Sequence, residues 1–418
     1  MVEKKSSIPS SRLFLTGVFL LLFSFYYSYS ANNSLTSFMV SQNWKQPELR
    51  NHVVPSSSFE FPSTVFSSWW DEITFAGSTS CKDVRHHEQE GIWKDPNDGS
   101  YFIRKIKKAP NHYVSLHKNE YDPVRFRHIF LTGNYYEHDV HNRFELILAE
   151  ADRTNIATSR SLPMVVDVGA NIGYYSLLSA ARQHAVVAFE INPSNLIRLC
   201  DSIELNTHFH SDNKDKDPTA FFGPIRMFRN GVSSQHNQTL HYAVPKHNPG
   251  EASIQVLSEE NKNHRLQLES FANGTSTNDP SFTTTITLDQ FASDHGWLTS
   301  IPTTRNKNDD TSNTKDIDIA ILKIDTEGHE PYILQGASQL IHSHLIRNIL
   351  IEYRSHCRDA VLQYVLEADY VLVDDKPSKN KWRMLTTEAS IDYIDKLQNR
   401  TAYVDLWFRL ASQKLPEW

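Results

Sequence analysis

The sequence lacks the features that define several large classes of protein. It contains only three cysteines, Cys81, Cys200 and Cys357, too few for a disulfide scaffold, and at least one thiol has no partner within the chain. Their spacings include no C-x-x-C pair of the kind that binds zinc, and no other metal motif is evident. Internal repeats are absent. These absences exclude a disulfide-rich or repeat protein, and we predict no metal site.

Basic residues are also in deficit. The chain has 42 Lys and Arg against 49 Asp and Glu, for a net charge of −7, and no basic stripe is evident. Nucleic acid is therefore not an expected partner. Hydrophobic residues at 39% and aromatic residues at 11% are enough to build a core, which excludes wholesale disorder. At about 150 residues per domain, the 418 residues predict two to three structural units.

The first thirty residues form a distinct segment. An apolar run over residues 13–23 follows a positively charged stretch and continues in alternating aromatic residues and serines. This order is typical of a signal anchor or a signal peptide, so we assign residues 1–12 to a cytoplasmic tail and 13–30 to the apolar segment. Small residues also permit cleavage before Ala31. The basic residues in front of the run are Lys4, Lys5 and Arg12.

The charge in front of the apolar run predicts the topology. It favours a single-pass type II membrane protein of the Golgi or endoplasmic reticulum with a luminal catalytic region. Cleavage would instead give a secreted protein. Residues 31–63 have the composition of a stem, and residues 64–124 form an N-terminal region without an interpretable motif. Sequons for N-glycosylation fit a luminal chain: Asn32, Asn237, Asn273 and Asn399.

From Pro163 onward, short apolar stretches alternate with longer amphipathic ones, and several of the short stretches are apolar on both faces. This alternation predicts an α/β fold with a doubly wound, mostly parallel sheet. The predicted strands are 164–168, 185–190, 225–229, 317–325, 348–353, 370–374 and 403–410. The predicted helices are 140–151, 174–182, 195–206, 330–343 and 358–368. No crossover helix is evident between Asp374 and Tyr403, which leaves an antiparallel last strand open. Polar tracts over 211–217, 259–279 and 303–315 are predicted surface insertions.

The most specific segment, residues 164–178, is a buried strand followed by a tight turn that opens into a helix. The turn has the pattern D-V-G-A-N-I-G from Asp167 to Gly173. Gly169 and Gly173 allow the backbone to approach a ligand, and Asn171 tolerates a left-handed conformation. The following helix N-terminus offers free N–H groups and the positive end of a dipole. The pattern predicts a ligand-binding turn.

An acid ends the next strand as well. Glu190 lies about twenty residues after the turn, where an acid can accept hydrogen bonds from ribose hydroxyls. A dinucleotide site would show G-x-G-x-x-G, but Asn171 and Tyr174 stand at the second and third glycine positions. A ligand without a diphosphate, such as S-adenosylmethionine, does not need that close backbone approach. The alternative is a strand, turn and helix that bind nothing, and an acid at each of two strand ends argues against it.

A second constellation ends the strand at 317–325. Asp325, Glu327 and His329 lie within five residues, and a helix follows them. Chemistry in an open α/β sheet gathers at the carboxyl ends of strands, and these side chains are possible bases for an attacking hydroxyl. The alternative is that Asp325 only caps the following helix, while the glutamates favour its N-terminus.

Together the two segments resemble the FkbM family of S-adenosylmethionine-dependent methyltransferases. That family couples a D-x-G-A-N-x-G-x-x-S turn to a later L-K-x-D-x-E-G-x-E segment, and both patterns are present, at 167–176 and 322–330. The likeness covers residues 125–410, and we assign 125–418 to the methyltransferase domain. Departures are Gly231, where the family often has alanine, and Pro331. Weaker matches support the resemblance at 190–193, Asn206, 230–233, 249–254 and 349–352.

The resemblance implies a class I methyltransferase fold and O-methylation of a sugar or a small hydroxylated metabolite. The implied catalytic residues are Asp325, Glu327 and His329. The implied cofactor-binding residues are Asp167, Gly169, Asn171, Gly173, Glu190, Asn192 and Asn230. Three other functions stay open: an N-directed small-molecule methyltransferase, a non-catalytic binding protein of the same fold, and a nicotinamide-dependent dehydrogenase. The glycine pattern disfavours the dehydrogenase.

Overall fold

In a computed structural model, the structure describes residues 77–93, 101–106, 110–118, 122, 129, 137–158, 163–213, 222–245, 252–254, 282–298, 317–374, 382–398, 403–413 and 415. These residues all belong to one compact unit, Ser63–Trp418. The predicted tail, signal anchor and stem lie outside the described residues, as do the tracts at 259–279 and 303–315. Among the helices that are described, none is both long and apolar enough to cross a membrane.

An eight-stranded sheet forms the centre of the fold, in the order β13-β12-β14-β11-β10-β3-β4-β5. The five strands from β11 to β5 are parallel, whereas β14 runs antiparallel to both of its neighbours. The strands are β3 (Met164–Val168), β4 (Val186–Phe189), β5 (Ile225–Phe228), β10 (Ile319–Ile324), β11 (Asn348–Tyr353), β12 (Tyr370–Asp374), β13 (Arg383–Met384) and β14 (Val404–Leu410). The predicted α/β fold with a large, mostly parallel sheet is confirmed, and the last strand, whose direction the sequence left open, runs antiparallel.

The central strands are buried on both faces because their side chains alternate between two apolar cores. Val166 and Leu322 point into one core, and Val165 and Ile321 point into the other. Helices cover both faces, as a parallel sheet requires. They are α2 (His138–Thr158), α3 (Tyr174–Ala181), α4 (Pro193–Asn213), α5 (Leu288–Asp294), α6 (Glu330–Gly336), α7 (Ser338–His342), α8 (Arg358–Val361) and α9 (Thr387–Leu397).

Three helical segments differ from the prediction. The single helix expected at 330–343 is divided at Ala337 into α6 and α7. The helix expected at 358–368 consists of α8 followed by a π-helical turn, Leu362–Leu366. Helix α9 occupies the segment where no helix was evident. It is capped by Thr386, and it buries Ser390, Ile394 and Leu397 along one face.

The N-terminal region packs onto the same unit. Helix α1 (Cys81–Gln89) is joined to α4 by a disulfide between Cys81 and Cys200, whose Cα atoms are 5.4 Å apart. Strands β1 (Phe102–Ile106) and β2 (His112–Leu116) form an antiparallel hairpin. The amide of Asn206 on α4 pairs with both backbone groups of Tyr113 on β2, at 2.8 and 2.7 Å. Covalent and polar contacts therefore tie helix α1 and strand β2 to α4.

A second sheet, of four strands, stands beside the carboxyl end of β5. Its order is β6-β9-β7-β8, with β6 parallel to β9 and the other pairs antiparallel. The strands are β6 (Gly231–Val232), β7 (Thr239–Ala243), β8 (Ser253–Ile254) and β9 (Phe282–Ile286). This sheet forms one wall of the cleft described next.

Candidate active site

A cleft that is open to solvent lies at the carboxyl ends of β3, β4, β5 and β10. The structure brings six of the predicted site residues to it: Gly169, Glu190, Asn230, Asp325, Glu327 and His329. Its apolar walls include Val168, Phe189, Ile191, Val232 and Ile254. Asp167, Asn171, Gly173 and Asn192 are not among the lining residues. The sequence patterns around 167 and 325 therefore meet in one cleft.

The turn after β3 has the left-handed residues that its sequence predicts. Gly169, Asn171 and Gly173 have φ values of 82°, 56° and 85°. A Cβ atom on Gly169 would lie 1.8 Å from the backbone oxygen of Asp325, and one on Gly173 would lie 2.2 Å from Leu199 Cδ1. The two glycines therefore permit close packing of the turn against the end of β10 and against α4. Only Gly169 also lines the cleft.

Glu190 is buried, and it holds the turn in place. Its Oε2 accepts a hydrogen bond from the Asn171 N–H at 2.7 Å, and its Oε1 accepts one from the Asn192 N–H at 2.7 Å. Asn195 Nδ2 also lies 3.4 Å from Oε1, and a carboxylate oxygen can accept more than one hydrogen bond. Asn171 and Asn192 thus support Glu190 through their backbone. The side chain of Asn192 accepts from the N–H of Ser194.

Behind the turn, Asp167 is fully buried beside Lys323. Its Oδ2 accepts a 2.7 Å hydrogen bond from Ser176 Oγ, and its Oδ1 lies 3.9 Å from Lys323 Nζ. Burial raises the pKa of Asp167, although Lys323 and Ser176 act in the opposite direction. The structure therefore gives Asp167 a place in a buried ion pair that positions the turn.

Lys323 connects this buried acid with the cleft. Its ammonium lies 3.0 Å from Asp325 Oδ2 and 5.1 Å from the centre of the Tyr175 ring. Burial disfavours its charge, but Asp325 and Asp167 outweigh that effect and raise the pKa of Lys323. Lys323 is thus a fixed cation beneath Asp325. Lys323 was assigned no role in the sequence analysis. A lysine inside an otherwise apolar strand could have indicated a buried ion pair.

The loop after β10 presents Asp325 and Glu327 to the cleft, and Glu330 holds its shape. Glu330 Oε1 accepts hydrogen bonds from the N–H groups of Thr326 and Gly328, at 2.9 and 3.0 Å. Glu327 has a φ of 56°. No side chain caps the N-terminus of α6. The predicted alternative, in which Asp325 is a helix cap, is therefore wrong.

His329 is buried in the wall of the cleft. Its Nε2 is 3.0 Å from Ser233 Oγ, and its ring stacks on Tyr332 with centroids 4.8 Å apart. Burial lowers the pKa of His329 to about 4. The imidazole is therefore neutral at physiological pH and is a weak base.

A further acid at this edge, Glu352, was missed as a functional residue. It is the next-to-last residue of β11 and lies close to Arg354, whose guanidinium bridges Glu327 Oε2 at 2.7 Å and Glu352 Oε2 at 3.1 Å. Burial raises the pKa of Glu352 to about 8, and the neighbouring Asp325 and Glu327 act in the same direction. The signal in the sequence was an acid inside an otherwise apolar strand.

The three carboxylates Asp325, Glu327 and Glu352 each place an oxygen within 4.8 Å of the others. Such a spacing suits a cation, but Lys323 and Arg354 already supply positive charge to all three. We therefore interpret the three carboxylates and the two cations as an ion-pair network around the end of β10.

Side chains pack closely around Gly231 in the remaining wall of the cleft. A Cβ atom on Gly231 would lie 3.0 Å from both Ile254 Cδ1 and Thr283 Cγ2, and 3.8 Å from Ile191 Cγ2. The wall therefore has no room for a larger side chain at this position. Gly231, Ile191 and Ile254 line the same cleft as Glu190, so the cleft combines an apolar wall with a carboxylate. Sites for small molecules are typically apolar with a few polar groups of this kind.

Residues 167–372 match the family model described as the methyltransferase FkbM domain. The chain contains an FkbM methyltransferase domain. This match confirms the resemblance carried by the 167–176 and 322–330 patterns. The match ends within β12, so α9 and β14 lie beyond the matched residues.

Among solved structures, the chain is similar to the crystal structure of methyltransferase FkbM from Methylobacillus flagellatus KT. The sequence identity is 12% and the TM-score is 0.26. The likeness covers 59% of this chain and 43% of that chain, which is less than half of its length. No curated protein matches the chain.

Proposed function

We propose that this FkbM domain protein is an S-adenosylmethionine-dependent O-methyltransferase that acts on a hydroxyl of a glycan or small metabolite in the secretory pathway. One observation carries the proposal. Glu190, a carboxylate suited to bind ribose hydroxyls, and Asp325, a carboxylate suited to act as a general base, line one cleft at the carboxyl ends of the strands. This is the position where ligands of open α/β sheets bind.

The residues of the cleft fit the cofactor. Glu190 would accept hydrogen bonds from the ribose hydroxyls, and the apolar wall that includes Ile191, Gly231 and Ile254 would lie against the adenine ring. Asn230 also lines the cleft and would contact the adenine ring. Bound S-adenosylmethionine supplies an electrophilic methyl group on a sulfonium. The positive charge of that group suits a cleft that presents Asp325 and Glu327.

The chain's own residues would prepare the acceptor. Asp325 is held by Lys323 at 3.0 Å, so its carboxylate has a fixed direction from which to orient the acceptor hydroxyl and accept its proton. Glu327, held by Arg354, is the second candidate base. His329 is third, because its low pKa makes it a weak proton acceptor.

Two features outside the cleft support the secretory compartment. The Cys81–Cys200 disulfide belongs to an oxidising environment, since cytosolic thiols are kept reduced. The sequon at Asn237 is exposed on the loop between β6 and β7, where a glycan can be attached.

The test is calorimetric titration of the full chain with S-adenosylmethionine and NAD, followed by labelled methyl transfer to a panel of glycans and metabolites. We expect binding of S-adenosylmethionine alone, and label on an acceptor oxygen. Tight binding without transfer to any acceptor would favour the non-catalytic alternative. Label on nitrogen would favour the N-directed enzyme, and binding of NAD alone would contradict the proposal.

A further inference from the structure

We propose that the acceptor lies across the ends of β11 and β14, on an acidic surface that admits neutral or cationic hydroxylated acceptors and rejects anionic ones. The surface consists of Glu327, Arg354, Tyr403 and Asp405 together with the buried carboxyl of Glu352, and we call it the acceptor surface. This inference rests on the proposed function, because the place of the acceptor follows from the place of the cofactor.

The order of the strands indicates the side from which the acceptor approaches Asp325. Along the sheet, β5, β4, β3 and β10 follow one another, and the cleft spans the ends of these four strands. Glu190 follows β4, whereas Asp325 follows β10. An acceptor that meets Asp325 without crossing the ribose site must approach from the opposite side. The next strands on that side are β11 and β14, which pair Glu352 with Asp405 and Tyr353 with Val404.

An exposed aromatic ring stands on this side. Tyr403 comes directly before β14 and is 54% exposed, the highest value among the large hydrophobic side chains described. The guanidinium carbon of Arg354 lies 5.6 Å from the centre of its ring. An amphipathic ring of this kind offers an apolar face and a polar hydroxyl. Both match a sugar, which has apolar C–H faces and hydroxyl edges.

The charges around the ring determine which sugars fit. Arg354 is engaged by Glu327 and Glu352, and Lys323 is buried beneath Asp325. Neither cation is therefore directed at an incoming anion. Among the described residues of this region, the carboxyl groups outnumber the cations even when Glu352 is protonated. The carboxyl groups are Glu137, Asp139, Asp325, Glu327, Glu330, Glu352 and Asp405, and the cations are Arg143, Lys323 and Arg354.

The carboxyl groups respond to each other's field. Burial raises the pKa of Asp405 to about 6, and Asp325 and Asp139 act in the same direction. A uronate, sulfate or phosphate on the acceptor would meet the same repulsion. A neutral sugar meets only hydrogen-bonding groups, and an amino sugar gains from the acidic field.

The experiment measures binding separately from transfer. The full chain is mixed with neutral methyl glycosides and with the matched uronic acids and amino sugars, and contact is followed by saturation-transfer NMR. We expect at least tenfold weaker binding of each uronic acid than of its neutral counterpart. Tyr403→Ala should reduce binding of the neutral glycosides about tenfold. Phe102→Ala, at an exposed aromatic of β1, is the matched control and should change nothing.

A second variant reports on charge. Glu327→Gln removes one partner of Arg354, so it should reduce the discrimination against uronic acids. Equal or tighter binding of uronic acids by the wild type would overturn the inference, and so would a lack of binding by every neutral and amino glycoside. Full binding by Tyr403→Ala would also overturn it. Titration with S-adenosylmethionine in the same samples separates the two proposals. Loss of sugar binding while the cofactor still binds counts against the acceptor surface, and failure of the cofactor to bind counts against the proposed function.

Discussion

At the scale of single residues, Glu190 has two roles, and a substitution to alanine would remove both of them at once. It supports the turn through the N–H groups of Asn171 and Asn192, and in our proposal it also binds ribose. Glu190→Ala should weaken S-adenosylmethionine binding about 10- to 100-fold, because charged hydrogen bonds of about 1.5–3 kcal/mol are lost. Calorimetry measures the dissociation constant, and thermal unfolding measures the stability.

Asp289 provides the control for this variant. Its carboxylate accepts from the N–H groups of Gln339 and Leu340, at 2.9 and 2.8 Å, and it is not among the residues of the cleft. Asp289→Ala should lower the melting temperature as Glu190→Ala does, and it should leave the dissociation constant unchanged. Equal loss of affinity in both variants would mean that Glu190 acts only through the stability of the fold.

Glu352 predicts a pH dependence of stability. Its pKa is about 8 in the folded protein against 4.5 for an ordinary glutamate, so the folded state holds the proton more tightly. Its contribution to stability is complete at low pH and is lost as the pH rises from about 4.5 to about 8. The slope for one such group is about 1.4 kcal/mol per pH unit. Glu352→Gln cannot ionise, so its stability should fall less than that of the wild type between pH 6 and pH 8.

Asp405→Asn is the matched control, because the raised pKa of Asp405 is only about 6. This variant should flatten the stability profile below pH 6 and leave the slope above it. The unfolding free energy, measured with urea at several pH values, distinguishes the two. An unchanged slope above pH 6 in Glu352→Gln would contradict the raised pKa.

At the scale of elements, the turn after β3 depends on the absence of a side chain at Gly169. Gly169→Ala would place a methyl group 1.8 Å from the Asp325 oxygen, in a left-handed conformation. Strain in that conformation costs about 1–2 kcal/mol, and overpacking adds about 1–3 kcal/mol. We expect a clearly lower melting temperature and loss of methyl transfer, since the variant displaces the backbone of Asp325.

Gly91→Ala isolates the backbone strain. Gly91 has a φ of 69°, and a Cβ atom there would have no heavy atom within 4 Å. The free energy of unfolding of this variant should fall only by the cost of the left-handed conformation, about 1–2 kcal/mol. If Gly169→Ala were no less stable than Gly91→Ala, the close packing of the turn on β10 would be refuted.

The sequence was sufficient for the central elements and insufficient for the contacts between them. Strands β3, β10 and β11 are apolar on both faces, so their positions could be predicted to within one or two residues. Helix α9 was missed because its apolar positions are few and polar residues separate them. Glu352 and Arg354 were missed as site residues because the ion pairs of Arg354 link the end of β11 to Glu327 in the loop after β10. A single sequence does not show which strands are neighbours.

The N-terminal region illustrates the same limit. Sequence reasoning found no motif in residues 64–124, because the region has no periodic pattern long enough to interpret. The structure ties part of it to α4 through Cys81, Tyr113 and Asn206. These are long-range contacts, which depend on the folded arrangement of α4.

At the scale of the whole molecule, the disulfide joins two segments separated by 119 residues. Cys81→Ser should lower the free energy of unfolding by about 2–5 kcal/mol, as for other native disulfides. Cys357→Ser is the control, because Cys357 is a buried free thiol. Mass spectrometry without reduction should find the Cys81–Cys200 peptide pair in protein recovered from the secretory pathway. Free thiols at both positions in that protein would contradict the oxidised state.

The central claim is that methyl transfer from S-adenosylmethionine takes place beside Asp325. The most direct measurement is the single-turnover rate of labelled methyl transfer by the wild type and by Asp325→Asn, at saturating cofactor. Loss of a general base lowers the rate by about 10²- to 10⁴-fold, with smaller losses expected for Glu327→Gln and then His329→Gln. Glu330→Gln, which loosens the loop from behind, controls for stability. We predict a large loss of rate in Asp325→Asn with cofactor affinity retained. Transfer at the wild-type rate by Asp325→Asn would contradict the account.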